Sequence, residues 1–330
     1  MTDFQRYLTE EFVEDYEEGL LTRREALKLL AGVTGSLALA TSILAACTPP
    51  VQPPATSAAT TAPMTPPTAG PTNTSKSPAT AKAASTVTTA PTATTEMGSG
   101  EIEASDVEFP GEGITLLGYL ARPGGDGPYP AVLVCHENRG LTEHIKDVTR
   151  RVAQAGYVGL AVDLLSRQGG TAAITDSTQV PGLLTSASQE QYVQDFTSGW
   201  RYLQQQPYVQ ADSVGMTGFC FGGGVTWRVA IGLPELRAAV PFYGPPPSPD
   251  EVKDIQAAVL AIYAERDQRI TQTAATMEAA MKANNKIYEK VIYPNADHAF
   301  YNDTGTRYNA EAAKDAWART LAWFDQYLKG

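Results

Sequence analysis

Residues 101–330 are predicted to form one α/β domain, with a doubly wound, mainly parallel sheet and helices on both faces. From about Glu101 onward, short apolar runs alternate with amphipathic stretches, which is the pattern of βα units. Chemically active side chains follow several of the predicted strands, and ligands of such sheets bind beyond the carboxyl ends of the strands. A length of about 230 residues fits a single domain.

Seven strands and five helices are predicted within this domain. The strands are short apolar runs, and the helices have apolar residues at spacings of three and four. The helix at 189–206 carries Tyr192, Phe196 and Trp200 on one face, so these rings are expected in the core. The first strand is expected at the edge of the sheet. The strands lie at 116–121, 130–135, 158–162, 213–217, 238–243, 258–263 and 286–293, and the helices at 142–155, 189–206, 221–229, 271–284 and 308–328.

Residues 1–47 are predicted to be an export signal. A basic cluster precedes an uncharged, moderately apolar run of about 18 residues that ends in small residues. The pair Arg23 and Arg24 resembles the centre of a twin-arginine signal, although Ala26 stands where phenylalanine is frequent. Signals of that type carry folded proteins across a membrane.

The end of this run, Leu44-Ala45-Ala46-Cys47, resembles the lipobox of bacterial lipoproteins. The resemblance implies that Cys47 is lipidated and becomes the mature N-terminus. An anchor with more than one acyl chain would hold the protein on the outer side of the bacterial cytoplasmic membrane, in the periplasm or at the cell surface. The alternative is that residues 29–46 remain as a transmembrane anchor, since their length is near the lower limit for a bilayer span.

Residues 48–100 are predicted to be a disordered tether. They are almost entirely Thr, Ala, Pro and Ser, and lack the large apolar residues that offset the entropy of ordering. At random-coil scaling, about fifty residues reach roughly 40 Å. Such a tether would hold the domain clear of a membrane surface.

Composition excludes some partners. The formal net charge is -11 and no basic stripe is present, which argues against nucleic-acid binding. Three dispersed histidines and no Cys-x-x-Cys motif give no cluster of metal ligands at zinc spacing. We therefore expect a monomer without a metal or another cofactor.

Residues 218–223 read Gly-Phe-Cys-Phe-Gly-Gly and follow a predicted strand directly, which places Cys220 at the apex of a strand-to-helix turn. Glycines on both sides permit a strained backbone and close packing of strand and helix. A nucleophile occupies this position in the Gly-x-Ser-x-Gly pattern, here with cysteine for serine. Asp267 and His298 follow in the order acid, histidine. His298 would take the thiol proton and Asp267 would orient the imidazole.

Four motifs together resemble those of the dienelactone hydrolases, or carboxymethylenebutenolidases. They are the turn at Cys220, Asp267 in Ala-Glu-Arg-Asp, His298 in Asn-Ala-Asp-His-Ala-Phe, and the upstream Glu137. The resemblance covers most of residues 101–330, with the motifs in the family's order. It implies an α/β-hydrolase fold and the cleavage of an ester or lactone bond.

The resemblance also implies roles for other residues. Glu137 would contact the resting thiol, with a structural cap or ion pair as the alternative. The backbone N–H groups of Phe221 and Asn138 would stabilise the oxyanion. Arg167 matches an arginine that binds the carboxylate of the lactone substrate. The family's second such arginine is Asn302 here, so a surface role for Arg167 stays open.

Three further residues compete for a place in the site. His136 lies beside Glu137 at a strand end and could line the site, whereas His144 is expected on a solvated helix face. Cys135 ends the strand expected beside that of Cys220, so a disulfide is conceivable, but a buried apolar role is favoured.

The sequence therefore predicts an exported, lipid-anchored hydrolase in which Cys220 attacks a small-molecule ester or lactone and forms a thioester. A broader esterase or thioesterase is the rival within enzymes. A surface binding lipoprotein that has lost the chemistry is the rival from another class, and the three intact triad residues argue against it.

Overall fold

In the computed structural model, eight strands form one sheet, and residues 1–47 and 101–330 are described. Strand β1 pairs antiparallel with β2, β2 pairs antiparallel with β4, and all other neighbours are parallel. The order across the sheet is β1-β2-β4-β3-β5-β6-β7-β8. The strands are β1 (Ile102–Pro110), β2 (Thr115–Pro123), β3 (Tyr129–Cys135), β4 (Val158–Asp163), β5 (Val209–Phe219), β6 (Ala238–Phe242), β7 (Ala258–Ala264) and β8 (Tyr288–Tyr293).

The central strands are buried along their whole length. Every residue of β4, β6 and β7 is buried, as the unbroken apolar runs of a parallel sheet require. Helices cover both faces of β5: an added methyl group at Gly215 would meet Phe324, whereas one at Gly218 would meet Thr226. These glycines are three residues apart and so face opposite sides of the sheet. The predicted doubly wound α/β class is confirmed.

Seven helices accompany the sheet within residues 101–330, five of them at the predicted places. The short α5 and α8 were not expected, and short 3-10 turns precede α5. The helices are α4 (Glu143–Gln154), α5 (Val180–Thr185), α6 (Gln189–Gln204), α7 (Phe221–Gly232), α8 (Gln268–Thr271), α9 (Ala274–Ala283) and α10 (Ala310–Leu328).

The edge of the sheet differs from the prediction. The strand expected at the edge is β2, but β1 pairs with it along its length and takes the edge position. Strand β1 is largely exposed, with Phe109 as its one buried residue. Apolar and polar residues are interspersed in Ile-Glu-Ala-Ser-Asp-Val-Glu-Phe-Pro without an apolar run or continuous alternation, so hydrophobic periodicity does not signal this strand.

Residues 1–47 form three helices, α1 (Asp3–Glu17), α2 (Arg23–Thr34) and α3 (Leu37–Ala46). Capping boxes at Thr2 and Thr22 start α1 and α2, and Gly35 ends α2 in a left-handed conformation. The buried face of α1 comprises Phe4, Tyr7, Leu8, Glu11, Phe12 and Tyr16, together with Thr9 beside them.

These helices belong to the same compact unit as the sheet. Helix α1 contacts α7, and α2 contacts α5. None of the helices in residues 1–47 and 101–330 has the length and apolarity to cross a membrane. The predicted tether, residues 48–100, lies outside the described residues. The predicted export signal therefore corresponds to chain that packs on the domain, and its role in export stays a prediction.

The turn from β5 into α7 generates a prediction about stability. Gly222 faces β3 so closely that a methyl group there would collide with the carbonyl oxygens of His136 and Cys135, the latter at 2.7 Å. We expect Gly222→Ala to lower the free energy of unfolding by about 2 kcal/mol or more, because backbone must shift to relieve the overlap. Chemical denaturation measures this change.

The matched control is Gly305→Ala, where the nearest atom to an added methyl group is 3.5 Å away. We expect this variant to unfold at nearly the same denaturant concentration as the parent. Equal stability of the two variants would contradict the tight strand-helix packing.

Candidate active site

Cys220 occupies the turn between β5, near the middle of the sheet, and α7. Its backbone has φ 57° and ψ -122°, a conformation that is strained for a residue with a side chain. The turn is possible because Gly218 and Gly222 let α7 approach β5 and β3 without side-chain overlap. Cys220 is 3% exposed, with its sulfur at the carboxyl edge of the sheet.

His298 and Asp267 come from loops at the same edge. Asp267 follows β7 at the start of α8, and His298 lies in the loop after β8. The Nδ1 atom of His298 is 2.6 Å from Oδ2 of Asp267, and both side chains are buried. Burial alone would raise the pKa of Asp267, but His298 beside it holds that pKa below its usual value. A charged carboxylate thus fixes the orientation of the imidazole.

Helix α1 brings two side chains into this site that the sequence did not identify. The Tyr7 hydroxyl lies 3.4 Å from Sγ of Cys220 and 3.4 Å from Nε2 of His298. The Glu11 carboxylate oxygens lie 3.6 and 3.5 Å from the same sulfur. Helical spacing of Phe4, Tyr7, Phe12 and the capping box at Thr2 could have signalled α1, but they do not say where it packs.

The surroundings of the Cys220 thiol and the His298 imidazole shift the pKa of both groups. Burial, followed by the Glu11 carboxylate, raises the pKa of the Cys220 thiol to about 11, against a smaller lowering by His298. Burial opposes a charge on His298, yet the carboxylates of Asp267 and Glu11 raise its pKa well above the usual value. In this arrangement the thiol keeps its proton and the imidazole carries one.

Glu137 lies directly after β3 but does not contact the sulfur by a hydrogen bond. Its Oε2 accepts one from the side-chain amide of Asn302 at 2.8 Å. Burial raises the pKa of Glu137 to about 7, although His298 and Asn302 both favour its charged form. Asn302, which stands at the family's second arginine position, thus serves Glu137, and the carboxylate at the thiol is Glu11.

The two predicted oxyanion donors lie beside the nucleophile. Phe221 begins α7, so its backbone N–H has no acceptor within the helix. Asn138 is buried, and its side-chain amide donates to Oε1 of Glu11 at 2.8 Å. One of the two residues expected to bind the carbonyl oxygen of a substrate, Asn138, is therefore hydrogen-bonded to the carboxylate of α1.

Arg167 does not line the cavity that opens onto Cys220 and His298. Its guanidinium forms a two-point ion pair with Asp195, with distances of 2.7 and 3.0 Å, and Asp195 is fully buried. Withdrawing the arginine would leave that carboxylate buried and unpaired, which is costly. The structure thus gives Arg167 a partner within the protein, and a role toward substrate stays a prediction.

The other candidate residues take separate positions. His136 is fully buried, with Nδ1 2.7 Å from the Glu137 carbonyl oxygen, and its Nε2 accepts from the backbone of Leu164. His144 is buried and 3.2 Å from Asp303, so the expectation of a solvated face was wrong. No sequence pattern indicates this partner, which lies in a distant loop.

All three cysteines are free. Cys135 is buried on β3, as expected for the buried apolar role that the sequence favours. Strand β3 pairs with β5, with Cys135 opposite Gly218, as expected for neighbouring strands. Cys47 ends α3, is partly exposed, and has its sulfur 3.2 Å from the carbonyl oxygen of Ile43.

A cavity of about 450 Å³ opens onto Cys220 and His298. Its walls come from both the domain and the N-terminal helices, with Glu137 and Asn302 on one side and Glu11 and Phe12 on the other. A cavity of about 700 Å³ near α6 contains none of the predicted site residues. The chemistry is therefore assigned to the smaller cavity.

Glu11, Cys220 and His298 could together hold a metal ion. One donor atom from each lies within 4.8 Å of the others, and all three residues are buried. Sulfur, imidazole and carboxylate form a donor set that zinc accepts. The sequence did not predict such a cluster because Glu11 stands some two hundred residues before Cys220.

Comparisons with known proteins agree with the fold and show the family. The profile of the Dienelactone hydrolase family matches residues 116–328. A Methylorubrum extorquens protein named "Putative carboxymethylenebutenolidase" is 36% identical over 236 residues, 68% of this chain and 81% of that protein. An Escherichia coli K12 protein of the same name is 35% identical over 241 residues, 68% of this chain and 88% of that one.

The same similarity extends to a solved structure. The "Putative Dienelactone Hydrolase" of Klebsiella pneumoniae superposes with a TM-score of 0.65 at 38% identity, over 69% of this chain and 100% of that one. The family match, residues 116–328, runs from β2 to α10. The α/β-hydrolase fold is therefore confirmed together with the hydrolase class. The chain belongs to the dienelactone hydrolase family.

Proposed function

We propose that the protein cleaves an ester or lactone bond in a small molecule, with Cys220 as the nucleophile. The observation that carries the proposal is the strained turn that holds the Cys220 sulfur at the carboxyl edge of the sheet, beside the buried His298–Asp267 pair. A thiol, an imidazole and a carboxylate in this arrangement support acyl transfer.

In the proposed reaction, neutral His298 takes the thiol proton and the sulfur attacks the carbonyl carbon. The negative charge that forms on the carbonyl oxygen is stabilised by the backbone N–H groups of Phe221 and Asn138. Protonated His298 gives its proton to the leaving oxygen, and a thioester on Cys220 remains. His298 then deprotonates a water molecule, which hydrolyses the thioester and restores the thiol.

The rival reading within enzymes is a broader esterase or thioesterase. Two observations favour a substrate other than a dienelactone with a free carboxylate. Arg167 is paired at two points with Asp195, and Asn302 stands at the second arginine position. A panel of lactones, aryl esters and thioesters, ranked by kcat/KM, separates these classes.

Replacing the nucleophile tests the chemistry. We expect Cys220→Ala to lower kcat for small activated esters, such as p-nitrophenyl acetate, by at least about a thousandfold, as removal of a triad member does elsewhere. The circular dichroism spectrum should not change, because the side chain shrinks by one atom. Retained turnover would refute Cys220 as the nucleophile.

A control addresses the base. Iodoacetamide should alkylate Cys220, and His298→Ala should slow this reaction if the imidazole generates the thiolate. Peptide mapping separates alkylation at Cys220 from alkylation at Cys47, which is partly exposed.

Glu137 generates a prediction about pH. Burial raises its pKa from the usual 4.5 to about 7, so between those pH values the unfolded chain releases a proton that the folded chain retains. The parent protein therefore loses stability from this group as pH rises from 4.5 to 7. Glu137→Gln should match the parent near pH 4 and exceed its free energy of unfolding by up to about 3 kcal/mol above pH 7.

Urea unfolding at several pH values measures the difference. The exposed Glu112→Gln variant is the control and should show no such pH-dependent gain. A gain for Glu137→Gln that is the same at pH 4 and pH 8 would contradict a buried, proton-retaining carboxyl group.

For the whole chain, we propose twin-arginine export followed by lipidation of Cys47. Arg23 and Arg24 are exposed at the start of α2 although much of the surrounding segment is packed, which supports their recognition by a transporter. Partial exposure of Cys47 at the end of α3 likewise supports modification there. The mature protein would begin at Cys47, anchored on the outer side of the cytoplasmic membrane.

Cys47→Ser is expected to block both lipidation and cleavage in a bacterial host. The parent should incorporate an alkyne fatty acid, partition with membranes and lack residues 1–46, whereas the variant should remain unlabelled and full-length. Fluorescent labelling and N-terminal mass spectrometry report these outcomes. Equal labelling of parent and variant would overturn the assignment.

A further inference from the structure

The Glu11 carboxylate occupies the space that an acyl group would need. Its two oxygens are 3.6 and 3.5 Å from the Cys220 sulfur, and the Asn138 side-chain amide holds one of them at 2.8 Å. A carbonyl carbon must approach to about 3–3.5 Å from the sulfur before attack. While Glu11 stays in place, no ester can reach that position.

Tyr7 adds a second obstruction one helical turn earlier. Its hydroxyl lies 3.4 Å from both the sulfur and Nε2 of His298 and donates to the sulfur. It thus stands beside the path along which the thiol proton passes to the imidazole. Its ring also lies under the guanidinium of Arg269, 5.5 Å away, which fixes the side chain.

Contacts remote from the sulfur hold α1 in place. At its beginning, Phe4 packs against Phe221 with ring centroids 4.9 Å apart. Farther along, Arg269 pairs with Glu14 at 2.8 Å, and Arg307 pairs with Asp15 at 2.7 Å. Cationic groups on α8 and on the loop before α10 therefore match acidic groups on one helix.

The charge of Glu11 also works against catalysis. A carboxylate beside a thiol disfavours the thiolate, and the same carboxylate 3.9 Å from Nε2 favours a protonated His298. A protonated imidazole cannot accept the thiol proton. Helix α1 thus blocks the acyl position and places a second carboxylate beside both the thiol and the imidazole.

We propose that α1 is a built-in inhibitor that keeps the uncut chain latent, with Glu11 and Tyr7 as the blocking side chains. Cleavage before Cys47 would separate α1 from the domain. Cys220, Asn138 and the pocket wall on the side of Glu137 would then be accessible to substrate. The proposal rests on the proposed function for the role of Cys220 and for the cleavage. A docked α1 would also protect the Cys220 thiol from oxidation before export, because the thiolate is the species that oxidises.

Two matched variants of the full-length chain test the inhibition. Glu11→Gln removes the charge at the sulfur, whereas Glu10→Gln removes the same charge from an exposed neighbour on α1. Glu11→Gln should increase the rate of Cys220 alkylation by iodoacetamide at pH 8 about tenfold, the effect of a one-unit change in thiol pKa. It should also raise kcat/KM for p-nitrophenyl acetate, because a neutral amide accepts the Asn138 hydrogen bond more weakly than a carboxylate does and is displaced more readily by an ester. Glu10→Gln should match the parent in both measurements.

A third variant separates helix docking from local charge. Glu14→Gln, Asp15→Asn and Glu18→Gln together remove the acidic partners that residues 1–47 offer to Arg269 and Arg307, and leave Glu11 and Tyr7 unchanged. A docked inhibitor predicts faster alkylation and higher kcat/KM here too. A synthetic peptide of residues 1–20 with the parent sequence should then restore the lower rates.

The outcomes distinguish this proposal from the proposed function. Lower kcat/KM in Glu11→Gln and in the triple variant, with unchanged alkylation, would overturn latency and make α1 part of the working site. In another outcome, the variants are alkylated faster at Cys220, but none of them hydrolyses esters in a way that depends on Cys220. This result would uphold the shielding of the thiol and contradict the proposed hydrolase reaction. Unchanged rates in both variants would overturn the inhibitor while leaving Cys220 as the nucleophile of the parent chain.

Discussion

The strained backbone of Cys220 is the constraint on which the site depends. A positive φ at a residue with a side chain is maintained because Gly218 and Gly222 let β5, α7 and β3 pack at a distance that larger residues would forbid. The turn directs the sulfur beyond the sheet edge, where the loops after β7 and β8 bring Asp267 and His298. The chemistry follows from strand order and packing.

Three buried carboxyl groups lie around this turn, and two of them are close to the His298 imidazole. Asp267 is bound to one nitrogen of His298, Glu11 lies near the other nitrogen and the thiol, and Glu137 is held by Asn302. Burial makes each added negative charge costly, so the pKa of Glu137 rises to about 7 and that of Cys220 to about 11. Displacing any one carboxylate changes the protonation of the rest.

Much of this architecture could be predicted from the sequence because parallel strands leave unbroken apolar runs and the nucleophile turn leaves a glycine pattern. Cys220, Asp267 and His298 were found in this way, and the structure brings them to one edge of the sheet. Strand β1 escaped because its polar residues give no periodic signal. The Arg167–Asp195 pair escaped because a side-chain ion pair between separate elements has no sequence signature.

The contribution of Tyr7 and Glu11 escaped for a different reason. Residues 1–47 have the composition of an export signal, and composition does not say whether such a segment packs on the folded domain. A single segment can both carry an export signal and pack on the domain when its apolar face is buried and its paired arginines stay exposed. The acidic face of α1 and the arginines that receive it are apparent only in three dimensions.

The central claim is that Cys220 carries the acyl group during turnover. Rapid-quench mass spectrometry of the exported protein that begins at Cys47, mixed with an activated acetyl ester, tests this. We expect an acetyl group on the peptide that contains Cys220, appearing before steady-state turnover and decaying at a rate no slower than kcat. Turnover without that adduct, or with the acetyl group on another residue alone, would contradict it.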